Sequence, residues 1–390
     1  MNEPSPETLA LLADLIGFDS TSARSNRALI EHAAAYLASF GIEAQVLPSP
    51  DGDKASLWAT IGPAIDGGLV LSGHSDVVPV EGQNWTTDPF AMDVRDGRAF
   101  GRGTADMKGF IACALAAAPK FRDAGLQRPV HIALTYDEEI GCIGAPKLLD
   151  WMSRQSPTPA VALIGEPTSM AVVNAHKGAL FVQVTFNGVE AHSSMSHLGV
   201  SAIELAAAAV GLLKRIEGEL AETHRDDRFE PSRSTISVNR IGGGTATNIL
   251  AGQAWFNWDL RFLPAVDPDA VIADFEARLD SEILAPARAL HPSVAASVKV
   301  TAAVPPLAPE SEGAAEILAK RVLGSNATRA VSYVTEAGQF QQAGLSSIVI
   351  GPGSIDQAHK ADEYIALDQL ARCEDFLARL AKALGHDASA

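Results

Sequence analysis

The chain has little cysteine and no excess of positive charge, and both shortages limit what it can do. Its 390 residues include 3 cysteines, which are too few and too scattered for a disulfide framework or a cysteine-based zinc site. The 47 acidic residues outnumber the 30 basic ones, and the net charge of −17 would repel phosphate backbones and anionic lipid. We therefore expect a protein of the reducing cytoplasm that binds neither nucleic acid nor membranes.

Long apolar runs and a secretion signal are missing as well. No apolar stretch reaches the roughly 20 residues that span a bilayer. Residues 1–10 carry acids and prolines where a signal peptide would have a basic and then an apolar segment, so none is predicted. The composition is that of an ordinary globular protein, and 390 residues favour two domains over one.

The order of predicted elements indicates an α/β fold. Two helices are predicted within residues 7–40, and short apolar runs then alternate with longer alanine-rich helical stretches. This alternation is typical of a mostly parallel central sheet flanked by helices. The apolar runs are Ser56–Ile61, Leu69–Ser72, Val130–Thr135, Val161–Ile164 and Ser347–Ile350.

A second pattern begins near Leu180, where apolar and polar residues alternate as in a strand with one solvated face. Helical stretches and further strands follow it up to about Val304. We predict an inserted α+β domain over residues 179–303. The first domain is then discontinuous and consists of residues 1–178 and 304–390.

Acids and histidines follow the predicted strands of the first domain. Ligands of open α/β sheets bind at the carboxyl ends of the strands, so we expect these side chains to converge. Alone, each of them could cap a helix or lie in a solvated loop, but separate segments that all supply such side chains favour a shared site. The residues are His74, Glu138, Glu139, Glu166 and His359, with Asp106 in the glycine-rich loop 101–109.

So many carboxylates in one pocket would require a cation, because close negative charges repel one another. Histidine and carboxylate together suit zinc, cobalt or manganese, and the ligands suffice for two divalent ions that share one carboxylate. Asp76, two residues after His74, is predicted to accept the second ring N–H of that histidine. Of the neighbours Glu138 and Glu139, one can bind metal while the other acts as a general base.

Other interpretations of the same residues are weaker. The loop 101–109 lacks the spacing of a phosphate-binding loop, and Ser193 and Ser194 beside His192 lack the G-x-S-x-G elbow of a serine hydrolase. A dinuclear phosphoesterase is disfavoured because it would need clusters of basic residues to grip phosphate. A metal-binding scaffold without activity is disfavoured because it would not need Glu138 as a base beside a full set of ligands. Cys142, three residues after Glu139, could lie near the site, but a small buried apolar role is favoured.

Four motifs support a family resemblance. They are Gly73-His74-Ser75-Asp76-Val77-Val78-Pro79, Gly103-Thr104-Ala105-Asp106-Met107-Lys108-Gly109, Asp137-Glu138-Glu139 and Gly165-Glu166-Pro167-Thr168. With these, the chain resembles the zinc-dependent aminoacylase and exopeptidase family that contains acetylornithine deacetylase, succinyl-diaminopimelate desuccinylase and glutamate carboxypeptidases. The resemblance covers essentially the whole chain and implies a metal-dependent hydrolase that removes an acyl group from an amino acid.

The resemblance also implies individual roles. His74 and Glu166 would bind one metal, Glu139 and His359 the other, and Asp106 both, with zinc or cobalt as the ion. Glu138 would be the base, and a cis peptide would follow Asp106. The inserted domain would be a lid and would form a homodimer, in which His192 reaches the site of the partner subunit.

Substrate contacts implied by the resemblance rest on single positions. Lys177, Asn248 and Arg261 would grip the substrate carboxylate and backbone, and Glu336 would meet a cationic side chain; the alternative for Arg261 is an ion pair with Asp259. N-acetyl-L-ornithine, hydrolysed to L-ornithine and acetate in arginine biosynthesis, is the leading substrate. Residues 136–142 and 337–339 depart from the pattern of the acetylornithine enzymes, which keeps desuccinylase, deformylase and dipeptidase as alternatives.

Overall fold

The computed structural model describes residues 3–385. Met1, Asn2 and residues 386–390 lie outside the described part. The predicted first domain, residues 1–178 and 304–390, therefore extends beyond the described residues at both ends, and residues 1–10, for which no signal peptide is predicted, begin outside them. The chain divides into two compact units. The first is Met1–Ala175, Leu307–Ala330 and Thr335–Ala390, and the second is His176–Pro306 with Val331–Val334.

Helices and strands alternate along most of the chain. The helices are α1 (Pro6–Ile16), α2 (Arg27–Ser39), α3 (Gly109–Asp123), α4 (Ala145–Met152), α5 (Ala202–Thr223), α6 (Pro268–Arg278), α7 (Ala285–Leu290), α8 (Ala314–Leu323), α9 (Ala337–Gln342) and α10 (Leu367–Leu384). Within residues 3–385, none of them is both long enough and apolar enough to cross a bilayer.

The strands are short, as expected of an α/β chain. They are β1 (Ala44–Pro48), β2 (Ala55–Ile61), β3 (Gly68–His74), β4 (Asp93–Arg95), β5 (Arg98–Phe100), β6 (Val130–Thr135), β7 (Pro159–Ile164), β8 (Val172–His176), β9 (Gly178–Asn187), β10 (Thr235–Gly243), β11 (Gln253–Phe262), β12 (Ala295–Val304), β13 (Thr328–Val331), β14 (Ser346–Val349) and β15 (Tyr364–Ala366).

An eight-stranded sheet, in the order β1-β2-β6-β3-β7-β14-β8-β13, forms the centre of the first unit. Its central strands β6, β3, β7 and β14 run parallel, and β3 and β6 are buried along their whole length. The outer strands β1, β2 and β8 pair antiparallel with their neighbours. Helix α3 packs between α1, α10 and the sheet, because its alanines allow a close approach. The predicted α/β class with a parallel centre flanked by helices is confirmed.

The second unit is built on an antiparallel sheet in the order β10-β11-β9-β12. Alternate residues of β9 are buried along most of the strand, and α5 packs against this strand as well as against β10 and β11. The α+β character predicted for the insert is therefore confirmed. The second unit runs from His176 to Pro306, where the sequence predicts 179–303, and it also takes in Val331–Val334.

Candidate metal centre

The carboxyl ends of the central parallel strands bring the predicted residues to one edge of the first unit. Strand β3 ends on His74, and β6 leads into the turn that carries Glu138 and Glu139. Strand β7 is followed by Glu166, and β14 by the loop that reaches His359. Parallel strands place their carboxyl ends on the same side of a sheet, which explains why residues so distant in sequence meet.

Two glycines allow the strand ends to approach closely at this edge. A Cβ atom added to Gly351 would lie 1.9 Å from the carbonyl oxygen of Gly165, and one added to Gly165 would lie 2.0 Å from the ring of Phe110. Neither position leaves room for a side chain. The backbone just before Glu166 therefore packs directly against the loop after β14.

Asp106 stands between two histidine and glutamate pairs. Its Oδ1 atom is 2.9 Å from Nε2 of His74, which lies 3.6 Å from Oε1 of Glu166. Its Oδ2 atom is 3.4 Å from Nε2 of His359, which lies 3.0 Å from Oε2 of Glu139. One carboxylate thus offers one oxygen to each pair, as a bridging ligand would.

The loop that presents Asp106 is held from behind by Glu363. This buried carboxylate accepts hydrogen bonds from the backbone N–H groups of Gly103 and Ala105, both at 2.9 Å, and of Asp106 at 3.1 Å. It also pairs with the buried guanidinium of Arg102, at 2.7 Å. The peptide bond between Asp106 and Met107 is cis, as the resemblance implies.

Asp76 supports the site differently from the prediction. The ring Nδ1 of His74 is 2.9 Å from the backbone carbonyl oxygen of Asp76, while the carboxylate lies 3.7 Å away, too far for a hydrogen bond. The carboxylate instead accepts the backbone N–H groups of Glu138 at 3.2 Å and Glu139 at 3.4 Å, and the hydroxyl of Ser22 at 2.6 Å. Asp76 therefore fixes both the histidine and the turn that carries the two glutamates.

The electrostatics of the cluster favour bound positive charge. Burial and the neighbouring Asp106 raise the pKa of Glu139 to about 6, and burial raises the pKa of Glu138 and Glu166 well above the usual range. Hydrogen bonds with Asp106 and Glu139 raise the pKa of His359 to about 10. The raised pKa values of these acids and of His359 reflect a high density of negative charge, which a bound cation would stabilise.

The donor set fits a divalent metal ion. His74, Asp106 and Glu139 offer ligand atoms within 4.8 Å of one another, and so do His74, Glu138 and Glu166. Imidazole nitrogen with carboxylate oxygen is the ligand chemistry of zinc, cobalt and manganese. The cluster is buried except at His359, whose side chain is 56% exposed, so it opens to solvent on that side.

Four of the remaining predicted residues, His192, Asn248, Lys177 and Arg261, belong to the second unit. His192 and Asn248 are exposed neighbours, since Ser193 N–H donates to the carbonyl of Asn248 at 2.9 Å. The backbone N–H of Ser194 donates to Nδ1 of His192 at 3.2 Å. A nitrogen that accepts this bond carries no proton, so the neutral ring has its N–H at Nε2.

Lys177 and Arg261 have partners within the second unit. The ammonium of Lys177, a buried residue, donates to the carbonyls of Pro231 at 2.8 Å and Arg233 at 2.7 Å. Arg261 donates from Nε to Asp259 at 3.0 Å, which is the alternative partner named for it from the sequence. Each side chain therefore has a structural contact before any substrate binds.

Glu336 and two residues not predicted for the site lie close to Glu138 in the first unit. Glu336 is buried and accepts from the hydroxyl of Thr135 at 2.9 Å, and burial raises its pKa to about 7. The thiol of Cys142 lies 3.3 Å from Oε1 of Glu138, and Gln339 donates to the carbonyl of Cys142 at 3.0 Å. The spacing of Cys142 after Glu139 was the sequence signal for its position, and the signal for Gln339 was its place in the stretch 337–339, which departs from the pattern of the acetylornithine enzymes.

Comparisons with known proteins identify the family of the chain. The model of Peptidase family M20/M25/M40 matches residues 70–383. An acetylornithine deacetylase of Myxococcus xanthus is 34% identical over 97% of this chain and 98% of its own length. A tripeptidase structure from Staphylococcus aureus has a TM-score of 0.77 at 20% identity and covers 98% of this chain and 99% of that one.

A second solved structure shares the fold. It is a dinuclear metal-binding peptidase of the M20 family from Bacillus subtilis, with a TM-score of 0.67 at 16% identity and a coverage of 96% of each chain. The family match covers far more than half of this chain, and with the relative at 34% identity it confirms the predicted class of metal-dependent hydrolase. The chain belongs to peptidase family M20/M25/M40.

Proposed function

We propose that the protein hydrolyses the amide bond of an N-acyl amino acid, with N-acetyl-L-ornithine as substrate and L-ornithine and acetate as products. The observation that carries the chemistry is the Asp106 carboxylate shared between the pairs His74–Glu166 and His359–Glu139, with Glu138 beside it. The substrate is supported by acetylornithine deacetylases of 34% identity that cover 97% and 94% of the chain.

Two divalent ions fit this ligand set. His74 and Glu166 would hold one, Glu139 and His359 the other, and Asp106 would contact both. When bound, such ions supply the positive charge that polarises an amide carbonyl and lowers the pKa of a nearby water molecule. We propose zinc, or cobalt in its place, because the ligands combine imidazole and carboxylate.

Glu138 moves the proton. Its carboxylate takes a proton from the attacking water and gives it to the nitrogen of the leaving amino group, so that the C–N bond breaks without forming a free amide anion. Burial raises the pKa of Glu138 well above its usual range, which suits a group that must first accept a proton and then release it. Asp76 keeps this glutamate in place through the backbone N–H at 3.2 Å.

His192 supplies the oxyanion contact in a homodimer formed through the second unit. Because Nδ1 accepts from Ser194, the Nε2 N–H of the neutral ring is available to donate to the carbonyl oxygen of the substrate. Asn248, its exposed neighbour, is proposed to bind the same substrate.

A mixing experiment tests the homodimer and the proposed trans contact. The His192→Ala and Glu138→Gln variants are each expected to lose at least about 10²-fold in kcat. If His192 of the partner subunit completes each site, subunit exchange between the two variants creates one intact site per mixed dimer and restores activity. A monomer by sedimentation, or mixtures that stay inactive after exchange, would contradict this arrangement.

The remaining substrate contacts are proposed at Arg261, Lys177 and Glu336. Arg261 uses Nε for Asp259, and its terminal amino groups have the fork geometry that grips a carboxylate with two bonds. Lys177 would exchange its hydrogen bond to the carbonyl of Pro231 for a contact with the substrate backbone. Glu336 would exchange its hydrogen bond from Thr135 for a contact with the cationic side chain of the substrate. With N-acetyl-L-ornithine as its substrate, the enzyme is proposed to act in the cytoplasm, in arginine biosynthesis.

Removal and return of metal test the function as a whole. Chelator-stripped protein is expected to release no ornithine from N-acetyl-L-ornithine, and zinc or cobalt is expected to restore turnover, because the charge that activates water and carbonyl is then present. The control is the same titration with N-succinyl, N-formyl and dipeptide substrates, compared by kcat/KM. Metal-loaded protein that turns over one of these and not the acetyl compound would transfer the proposal to that substrate.

A further inference from the structure

We propose that Cys142 is a positioning residue for the general base, a role that rests on the function proposed for Glu138. The Sγ atom of Cys142 lies 3.3 Å from Oε1 of Glu138, well within the range for a thiol that donates to a carboxylate. The cysteine is 1% exposed, so no water competes for that carboxylate oxygen from the side of the thiol. The bond fixes Oε1 and leaves Oε2 for the proton that is transferred.

The backbone around Cys142 is arranged to present the thiol. The N–H of Cys142 donates to the carbonyl of Glu138 at 2.8 Å, which closes a turn and brings the side chains of both residues to the same place. Cys142 has a φ of 55°, in the left-handed region that non-glycine residues rarely adopt. Gln339, at the start of α9, donates to the carbonyl of Cys142 at 3.0 Å and holds the turn in this conformation.

The thiol stays a donor under working conditions. A free cysteine has a pKa of about 8.5 and is therefore mostly protonated at neutral pH, and Cys142 is buried with its thiol beside the carboxylate of Glu138. A thiolate beside a carboxylate would repel it, whereas the S–H group stabilises it. Cys113, also buried, differs in that its thiol lies 3.7 Å from the backbone carbonyl of Leu370, in the core between α3 and α10.

Substitutions of Cys142 distinguish a thiol that acts as a hydrogen-bond donor from one that only fills space. Cys142→Ala is expected to lower kcat about 10-fold at unchanged KM and unchanged metal content, because Glu138 then populates orientations that do not face the water. Cys142→Ser restores a donor and is expected to recover kcat to within about threefold of the wild type. Cys142→Val fills the space without a donor and should behave like the alanine variant, which also provides a second test should alanine prevent folding.

The controls distinguish this proposal from the function on which it rests. Cys113→Ala removes an equally buried thiol and is expected to leave kcat unchanged. In the Glu138→Gln background, Cys142→Ala should cause no further loss, because the two residues act through one step. If Glu138→Gln collapses kcat while Cys142→Ala does not, or if serine is no better than alanine, the positioning role is wrong. A Glu138→Gln enzyme that stays active would instead overturn the base itself.

Discussion

The Glu138→Gln enzyme is expected to keep its metal ions and to lose about 10²- to 10⁴-fold in kcat, the usual contribution of a general base. Glutamine has the shape of glutamate, and the hydrogen bond from the backbone N–H of residue 138 to the carboxylate of Asp76 does not depend on the side chain of residue 138. What disappears is the carboxylate that takes a proton from water. The measurement is kcat with saturating substrate, alongside the metal content per chain.

The neighbouring acid provides the matched control. Glu139→Gln removes a carboxylate whose Oε2 lies 3.0 Å from Nε2 of His359, which is a proposed metal ligand. We therefore expect this variant to bind less metal, while kcat divided by the amount of bound metal falls less. The two variants carry the same chemical change one residue apart and should fail in different ways. If Glu138→Gln retained more than about a tenth of the wild-type kcat with both metals bound, its assignment as the base would be wrong.

The sequence predicted the fold well where periodicity determines structure. The predicted run Val130–Thr135 coincides with β6, and the run Ser347–Ile350 is shifted from β14 by one residue at each end. Both strands are short and almost wholly buried, as expected for the centre of a parallel sheet covered on both faces. Strands β1 and β13 were not predicted, because both are short and only partly buried.

The convergence of the site residues also followed from the sequence, but their hydrogen bonds did not. The rule about strand ends places His74 and Glu166 together without specifying atoms. Which oxygen of Asp76 meets the histidine depends on a difference of less than 1 Å, between 2.9 Å to the carbonyl and 3.7 Å to the carboxylate. Residue spacing in an extended segment cannot resolve such a difference.

Contacts from distant segments were beyond prediction for the same physical reason. Gln339 reaches the carbonyl of Cys142 across 197 positions, and Glu363 reaches the amide of Asp106 across 257. Such pairs are set by the packing of helices and loops against the sheet. No local pattern in the sequence encodes that packing.

Glu363→Gln is expected to destabilise the protein by about 3–5 kcal/mol, the usual cost of removing one partner from a buried ion pair. The side chains of Glu363 and Arg102 are 0% and 1% exposed, so the guanidinium would be left charged and unpaired in the interior. The measurement is the free energy of unfolding from a denaturant titration. Asp150→Asn, which breaks the exposed pair Asp150–Arg154, is the control and should change stability by no more than about 0.5 kcal/mol.

The same variant is also expected to lose metal affinity, and a double mutant separates the two effects. Arg102→Met combined with Glu363→Gln removes the unpaired charge, so the double variant should recover much of the stability lost by Glu363→Gln alone. Metal binding should not recover fully, because Gly103 donates to one oxygen of Glu363 while Ala105 and Asp106 donate to the other, and glutamine has only one acceptor oxygen. If stability and metal affinity returned together, Glu363 would act on the site only through Arg102 and would not hold the Asp106 loop itself.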